Sequence, residues 1–161
     1  MSVFNKTKKD ETAFPVKSTV YRYFFSGTYI ERVDGKNRVF IPLTWRHIFK
    51  DKLIITKNEV GCLTVWTPGF FQWFAYSRMD ACSSEQEKNI VRRMFIGSAT
   101  TLYVDPKARV TLPHDLLSSL AHQDGALYFV GAGDYVEIWS KSLFESWRSK
   151  QMPKDMKHEE L

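Results

Sequence analysis

The chain has 161 residues, 43% of them hydrophobic and 15% aromatic, which is material for one compact body or two small halves and argues against a disordered chain. No run of 18 apolar residues offers a bilayer-spanning helix, and the opening residues, MSVFNKTKKDETAF, lack the apolar stretch of a secretory leader, so the expected location is the cytoplasm. The net charge of +5 is unevenly held, with 13 Lys and Arg against 7 Asp and Glu in residues 1–80 and 10 against 11 in residues 81–161, which suits one basic face turned to a polyanion.

Residues 1–20 mix Lys6, Lys8, Lys9 and Lys17 with acidic and small polar residues without periodicity, and read as a flexible N-terminal arm. Residues 21–80 form a first unit. Its β-branched and aromatic stretch from Tyr21 to Val33 bends at Ser26-Gly27, and Asp34-Gly35 supplies a turn. Arg38-Val39-Phe40-Ile41 resumes as a strand, with Val39 and Ile41 on one face and Arg38 and Phe40 on the other. Pro42 opens a short helix from Leu43 to Phe49, because a proline at the first helical position forfeits no hydrogen bond. Leu53 to Thr56 and Cys62 to Trp66 pair around a turn at Asn58 to Gly61, and a helix follows Pro68.

Residues 81–94 read as a connector helix, started by the capping box Ser84-Glu85-Gln86-Glu87 and given an apolar side by Ile90, Val91 and Met94. A second unit, residues 95–148, repeats the order of the first. Phe95-Ile96-Gly97 aligns with Phe25-Ser26-Gly27, strands are expected at Thr101 to Val104 and Val110 to Leu112, and Pro113 opens a helix to Ala121. Ala126 to Val130 and Tyr135 to Ser140 repeat the later strands around a turn at Gly131-Ala132-Gly133. Residues 149–161 read as a polar tail.

The clearest mark of the duplication is Asp34-Gly35-Lys36-Asn37-Arg38, which returns 71 positions later as Asp105-Pro106-Lys107-Ala108-Arg109. From Asp34 to Pro42 and from Asp105 to Pro113 there are five identities in nine positions. Trp66 matches Trp139 and Phe71 matches Phe144 at an offset of 73, so the loops between have grown while the order is kept. A lysine and an arginine at a hairpin end fit contact with duplex DNA, arginine forking onto guanine and lysine meeting phosphate as a point charge. Asp34, Asn37 and Asp105 would then structure the turns. Taken alone, the motif equally fits an arginine that does no more than pair with its own aspartate.

These residues resemble the MraZ family, whose members carry two tandem AbrB-like (SpoVT-AbrB) units, each marked by an Asp-x-x-x-Arg motif. The flanks match as well: Phe25-x-Gly27, Pro42-x-x-Trp45-Arg46, Arg93-x-Phe95-x-Gly97-x-Ala99, Val130-Gly131-x-Gly133-Asp134 and Glu137-Ile138-Trp139, over residues 22–148. The resemblance implies a mainly-β α+β fold of two swapped-hairpin units in a double-split β-barrel with short helices. It also implies a nucleoid-associated regulator of the division and cell-wall (dcw) gene cluster that binds repeated short boxes in double-stranded promoter DNA, its own included, as a ring of identical subunits.

Glycine is usual before each motif arginine in that family, whereas Asn37 and Ala108 stand here. Since alanine tolerates a left-handed backbone poorly, the second turn is expected to differ in geometry. The first loop, with Lys36 and Arg38, is therefore expected to be the main reader, Lys107 and Arg109 to be auxiliary, and Arg32 and Arg46 to be phosphate contacts. In the helix after Pro68, Phe70, Trp73 and Phe74 take core spacing, which leaves Phe71 and Tyr76 for a contact between subunits.

The competing class is an oligomeric scaffold that holds protein partners without sequence-specific DNA binding. No enzyme, cofactor, metal or small-molecule substrate is expected. His114-Asp115 and His122-x-Asp124 follow no established ligand spacing, Cys62 and Cys82 read as plain thiols, and no GxSxG, P-loop, HExxH or GxGxxG occurs.

Overall fold

Alternating apolar and polar residues build short strands in the computed structural model, which describes residues 23–120 and 125–152. The expected arm, the histidine at 122 with its aspartate at 124, and the last nine residues of the expected tail lie outside them. In chain order the elements are β1 (Thr28–Arg32), β2 (Arg38–Phe40), a 3-10 turn (Leu43–Trp45), β3 (Lys52–Lys57), β4 (Leu63–Trp66), α1 (Pro68–Asp80) and α2 (Glu85–Ile90). A π-helical segment (Val91–Ile96) leads to β5 (Thr100–Tyr103), β6 (Arg109–Thr111), α3 (His114–Ser119), β7 (Ala126–Gly131), β8 (Val136–Ser140) and α4 (Lys141–Gln151).

The two units are woven together. One antiparallel sheet has the order β1-β7-β8-β4-β3-β5, and β2 pairs with β6 in a separate two-stranded ladder. Within a repeat only β3 with β4 and β7 with β8 are paired, whereas β1 lies on β7, β5 on β3, β4 on β8 and β2 on β6. The first strand of each repeat thus belongs to the sheet of the other. In the short ladder Val39 faces Val110, its own counterpart at the offset of 71, and in the large sheet Thr64 faces Glu137, its counterpart at the offset of 73. Both pairings are what an internal two-fold relation between the repeats requires. The fold is a mainly-sheet α+β one with short helices, but the expected barrel closure is corrected: among the described residues no ladder joins the two sheets.

Strand alternation decides where the core lies. Leu53, Ile55, Leu63, Val65, Leu127 and Phe129 turn one face of the large sheet toward Val39, Ile41, Val110 and Leu112 of the ladder, all of them 8% exposed or less. Trp45 at the end of the 3-10 turn, Phe49 beyond it, and Leu116, Leu117 and Leu120 around α3 complete this layer. The 3-10 turn is shorter than the helix expected to reach Phe49, and Pro42 stands just before it rather than inside it. Gly131 admits the preceding chain, since an added Cβ would come within 2.6 Å of the Phe25 carbonyl carbon. Phe25 there bridges to Gly133.

The opposite face of the large sheet is aromatic. Trp66 contacts Phe71, Phe74, Phe95 and Tyr135 at ring-centroid distances of 4.9–5.9 Å, and its indole N–H donates to the buried Thr56 hydroxyl at 2.9 Å. The counterpart cluster on α4 sets Trp139 5.5 Å from Phe144 and 5.6 Å from Trp147. Phe71, expected at a subunit contact, is instead 7% exposed in its own chain, because α1 is held between the sheet and the π-helical segment and buries more than one face. Tyr76 remains 57% exposed.

The connector starts as expected, with the Glu87 amide donating to the Ser84 hydroxyl at 3.2 Å and the Ser83 amide to the Glu87 carboxylate at 2.7 Å. It runs on through Ile96, however, so Phe95 is helical while its expected counterpart Phe25 is extended. Of the expected apolar side only Val91 is buried, and Ile90 and Met94 are 56% and 74% exposed. At the far end, α4 continues to Gln151, three residues into the expected tail.

Candidate nucleic-acid interface

The two motif loops are copies in geometry as well as in sequence. In the first, Asp34 Oδ1 accepts from the amides of Lys36 (2.9 Å) and Arg38 (2.8 Å), and Oδ2 accepts from Arg38 Nε at 2.7 Å. In the second, Asp105 Oδ1 accepts from the amides of Lys107 and Arg109, both at 2.9 Å, and Oδ2 from Arg109 Nε at 2.8 Å. The Asn37 amide donates to the Asp34 carbonyl at 3.1 Å, and the Ala108 amide to the Asp105 carbonyl at 3.0 Å. Asn37 has φ 62° and Ala108 φ 61°, so the expected difference in turn geometry is corrected. The carboxylate takes two amides and a guanidinium in each loop, and that set of bonds carries alanine into a left-handed conformation it disfavours by about 1–2 kcal/mol.

The same bonds tune the carboxyls. The Arg38 amide foremost, then its guanidinium and the Lys36 amide, hold Asp34 down to about 2. For Asp105 desolvation pushes upward, but the Arg109 amide and guanidinium and the Lys107 amide outweigh it and leave the carboxyl below its ordinary range. Both aspartates are therefore anions at neutral pH, as the arginine lock needs.

The loops were expected at hairpin ends, but β1 and β2 form no ladder with each other. Instead β2 pairs with β6, the Ile41 amide donates to the Ala108 carbonyl at 2.9 Å, and the Leu112 amide to the Asn37 carbonyl at 2.8 Å. Each loop thus abuts the end of the other repeat's strand, and the two flank one short ladder. Its outer face presents Arg38 opposite Thr111 and Phe40 opposite Arg109, with the arginines on a diagonal of about 7–8 Å. Lys36 and Lys107 are exposed, and among the described residues neither ammonium has an ion pair.

The remaining expected contacts lie in different settings. Arg32 is exposed at the end of the edge strand β1. Arg46 is half-buried, donates from Nε to the Ile41 carbonyl at 2.8 Å, and lies with its guanidinium 5.5 Å from the Phe40 ring centroid. It also faces Glu31, whose carboxyl burial pushes up and Arg46 pulls back. Phe40 was assigned no role in the sequence. Alternation showed it pointing outward, but only the pairing of β2 with β6 sets it beside Arg109.

Burial foremost, then Glu137 at 3.6 Å, pushes the Cys62 thiol upward and makes it a poor nucleophile. His114 lies 3.3 Å from the Ser118 hydroxyl at the helix surface. Among the described residues no group of three or more His, Cys, Asp or Glu could hold a metal.

The family model described as MraZ protein matches twice, over residues 24–94 and 94–161. The chain belongs to the MraZ family. Its two matches meet at Met94, inside the π-helical segment that joins the repeats. It is similar to the transcriptional regulator MraZ of Kineococcus radiotolerans, 30% identical over 80% of this chain and 90% of that protein. It is likewise similar to those of Carboxydothermus hydrogenoformans (32% identical; 76% and 85%) and Mycoplasmoides gallisepticum (23%; 81% and 91%). These MraZ relatives are named as regulators of transcription.

Proposed function

We propose that this chain is a sequence-specific DNA-binding transcriptional regulator that reads double-stranded promoter DNA with its two motif loops. The observation that carries this reading is the duplicated, carboxylate-locked loop, which sets Lys36 with Arg38 and Lys107 with Arg109 at the two ends of one ladder. In each arginine Nε is spent on the aspartate, and the terminal nitrogens carry no hydrogen bond among the described residues. A guanidinium aimed in this way can fork onto guanine O6 and N7, and the lysines and Arg32 can serve phosphates. Arg46, tied to the Ile41 carbonyl, is the weaker phosphate candidate.

The finer parts of the proposal rest on the MraZ relationship. The targets are repeated short boxes ahead of the division and cell-wall gene cluster, the protein's own promoter included, bound in the cytoplasm at the nucleoid. Several copies closed into a ring would present many loops in register, so that boxes which a single loop holds weakly are bound by avidity.

A shift assay on the DNA upstream of the protein's own gene, run across a salt series, tests this. Arg38→Ala and Arg109→Ala should each weaken binding about tenfold or more. Lys36→Ala or Lys107→Ala should lower the slope of log affinity against log salt by about one unit per lost phosphate contact. An Arg38→Ala/Arg109→Ala double variant that binds like wild type would sink the reading in favour of a protein-binding scaffold.

A further inference from the structure

The two loops share a backbone but not their surroundings. Phe40 projects from the outer face of β2, 42% exposed, while its strand neighbours Val39 and Ile41 are in the core. Its ring lies 5.5 Å from the guanidinium carbon of Arg46, from its own repeat, and 5.9 Å from that of Arg109, from the other. Both distances are within the reach of a cation–π contact. The Arg109 side chain is 19% exposed and that of Arg38 is 30%. At the related positions of the second repeat the same arrangement is missing: Thr111 stands where Phe40 does, Leu117 where Arg46 does, and Arg38 faces Thr111.

We propose that Phe40 is a positioning residue of the DNA-reading surface, one that fixes the Arg109 guanidinium from across the ladder and makes the second loop the more rigid reader. This rests on the DNA-binding reading and deepens it. A single hydrogen bond from Nε to Asp105 still lets the aliphatic torsions of Arg109 carry the guanidinium away when it breaks, and each conformer frozen on binding weakens the complex. With the ring beside it, Arg109 loses less freedom when it meets a base or phosphate. Arg38, opposite a threonine, keeps that freedom and adapts to its site. The unequal pair reverses the ranking drawn from charge and from Ala108: Arg109 is the pre-set contact.

The test replaces Phe40 in the full-length protein with Leu, which keeps an apolar side chain without a ring, and with Tyr, which keeps the ring. Phe40→Leu should weaken binding to the upstream DNA about three- to tenfold with an unchanged unfolding midpoint, and Phe40→Tyr should bind as wild type. The loss should vanish in an Arg109→Ala background, because the ring acts through that arginine. Thr111→Phe, which sets a ring opposite Arg38, should tighten binding. In the free protein, the Arg109 side-chain NMR resonances should show an aromatic ring shift in wild type and Phe40→Tyr that Phe40→Leu abolishes. Wild-type binding by Phe40→Leu, or equal losses from Phe40→Leu with and without Arg109, overturns the positioning role and leaves the DNA reading intact. No salt-dependent binding by the wild type overturns both.

Discussion

Asp34 and Asp105 show how a single carboxylate can build a turn and aim a cation together, and their titration is the first consequence. Asp34 has a folded value of about 2, below its ordinary 3.8, so its contribution to the loop is complete above about pH 4 and is lost as pH falls toward 2. Between pH 5 and 8 neither aspartate changes charge, and a carboxyl-carbon NMR titration should show both flat over that window. A midpoint for Asp34 near its ordinary value would mean that the lock is absent in solution. Ala108 gives the second consequence. Its φ of 61° suits glycine, so Ala108→Gly should raise stability by up to about 1 kcal/mol, seen in chemical denaturation as a higher midpoint at constant slope. Asn37, at φ 62°, should gain less, since asparagine visits this region more readily.

Among the elements, the connector turns an exposed stretch into a cover for the aromatic cluster. At its start the Ser84 hydroxyl accepts from the Glu87 amide and the Glu87 carboxylate from the Ser83 amide, the Gly97 amide donates to the Arg92 carbonyl at 2.7 Å in the wider π-helical pattern, and Phe95 is thereby set on Trp66 and Phe71. Arg78 from α1 lies over the same Phe95 ring at 4.9 Å. Removing the cap loosens the helix from its N-terminal end, so Ser84→Ala should cost about 1 kcal/mol, measured by urea unfolding, with DNA binding unchanged. A loss of DNA binding at full stability would mean that the connector does more than cover the sheet.

For the whole molecule, the burial of Phe71 separates stability from self-association. Phe71→Ala opens a cavity in the cluster around Trp66 and should cost about 3–5 kcal/mol of folding free energy. Tyr76, exposed on the outer side of α1, should leave the unfolding midpoint alone when changed to Ser. If copies of the chain associate along α1, Tyr76→Ser should sediment at a lower mass than the wild type at micromolar concentration; an unchanged mass would count against a contact there. Interleaving of the repeats also makes unfolding of one half alone unfavourable, because β1 and β5 each pair only with the other repeat.

Local chemistry was legible in the sequence wherever a residue acts on its near neighbours. Repetition of Asp-x-Lys-x-Arg revealed two units, alternation put Val39 and Ile41 inward and Arg38 and Phe40 outward, and serine, proline and glycine marked the starts and turns of elements. The partners of each strand were not legible, since period-2 alternation tells which face is buried and not which strand lies beside it. Only the tertiary structure therefore decided that β2 pairs with β6, that Phe71 is covered by Phe95, and that Ala108 is carried into the same turn as Asn37 by the bonds of Asp105. The decisive contacts of the candidate site, Phe40 with Arg109 above all, join residues 69 positions apart, and no local pattern encodes them.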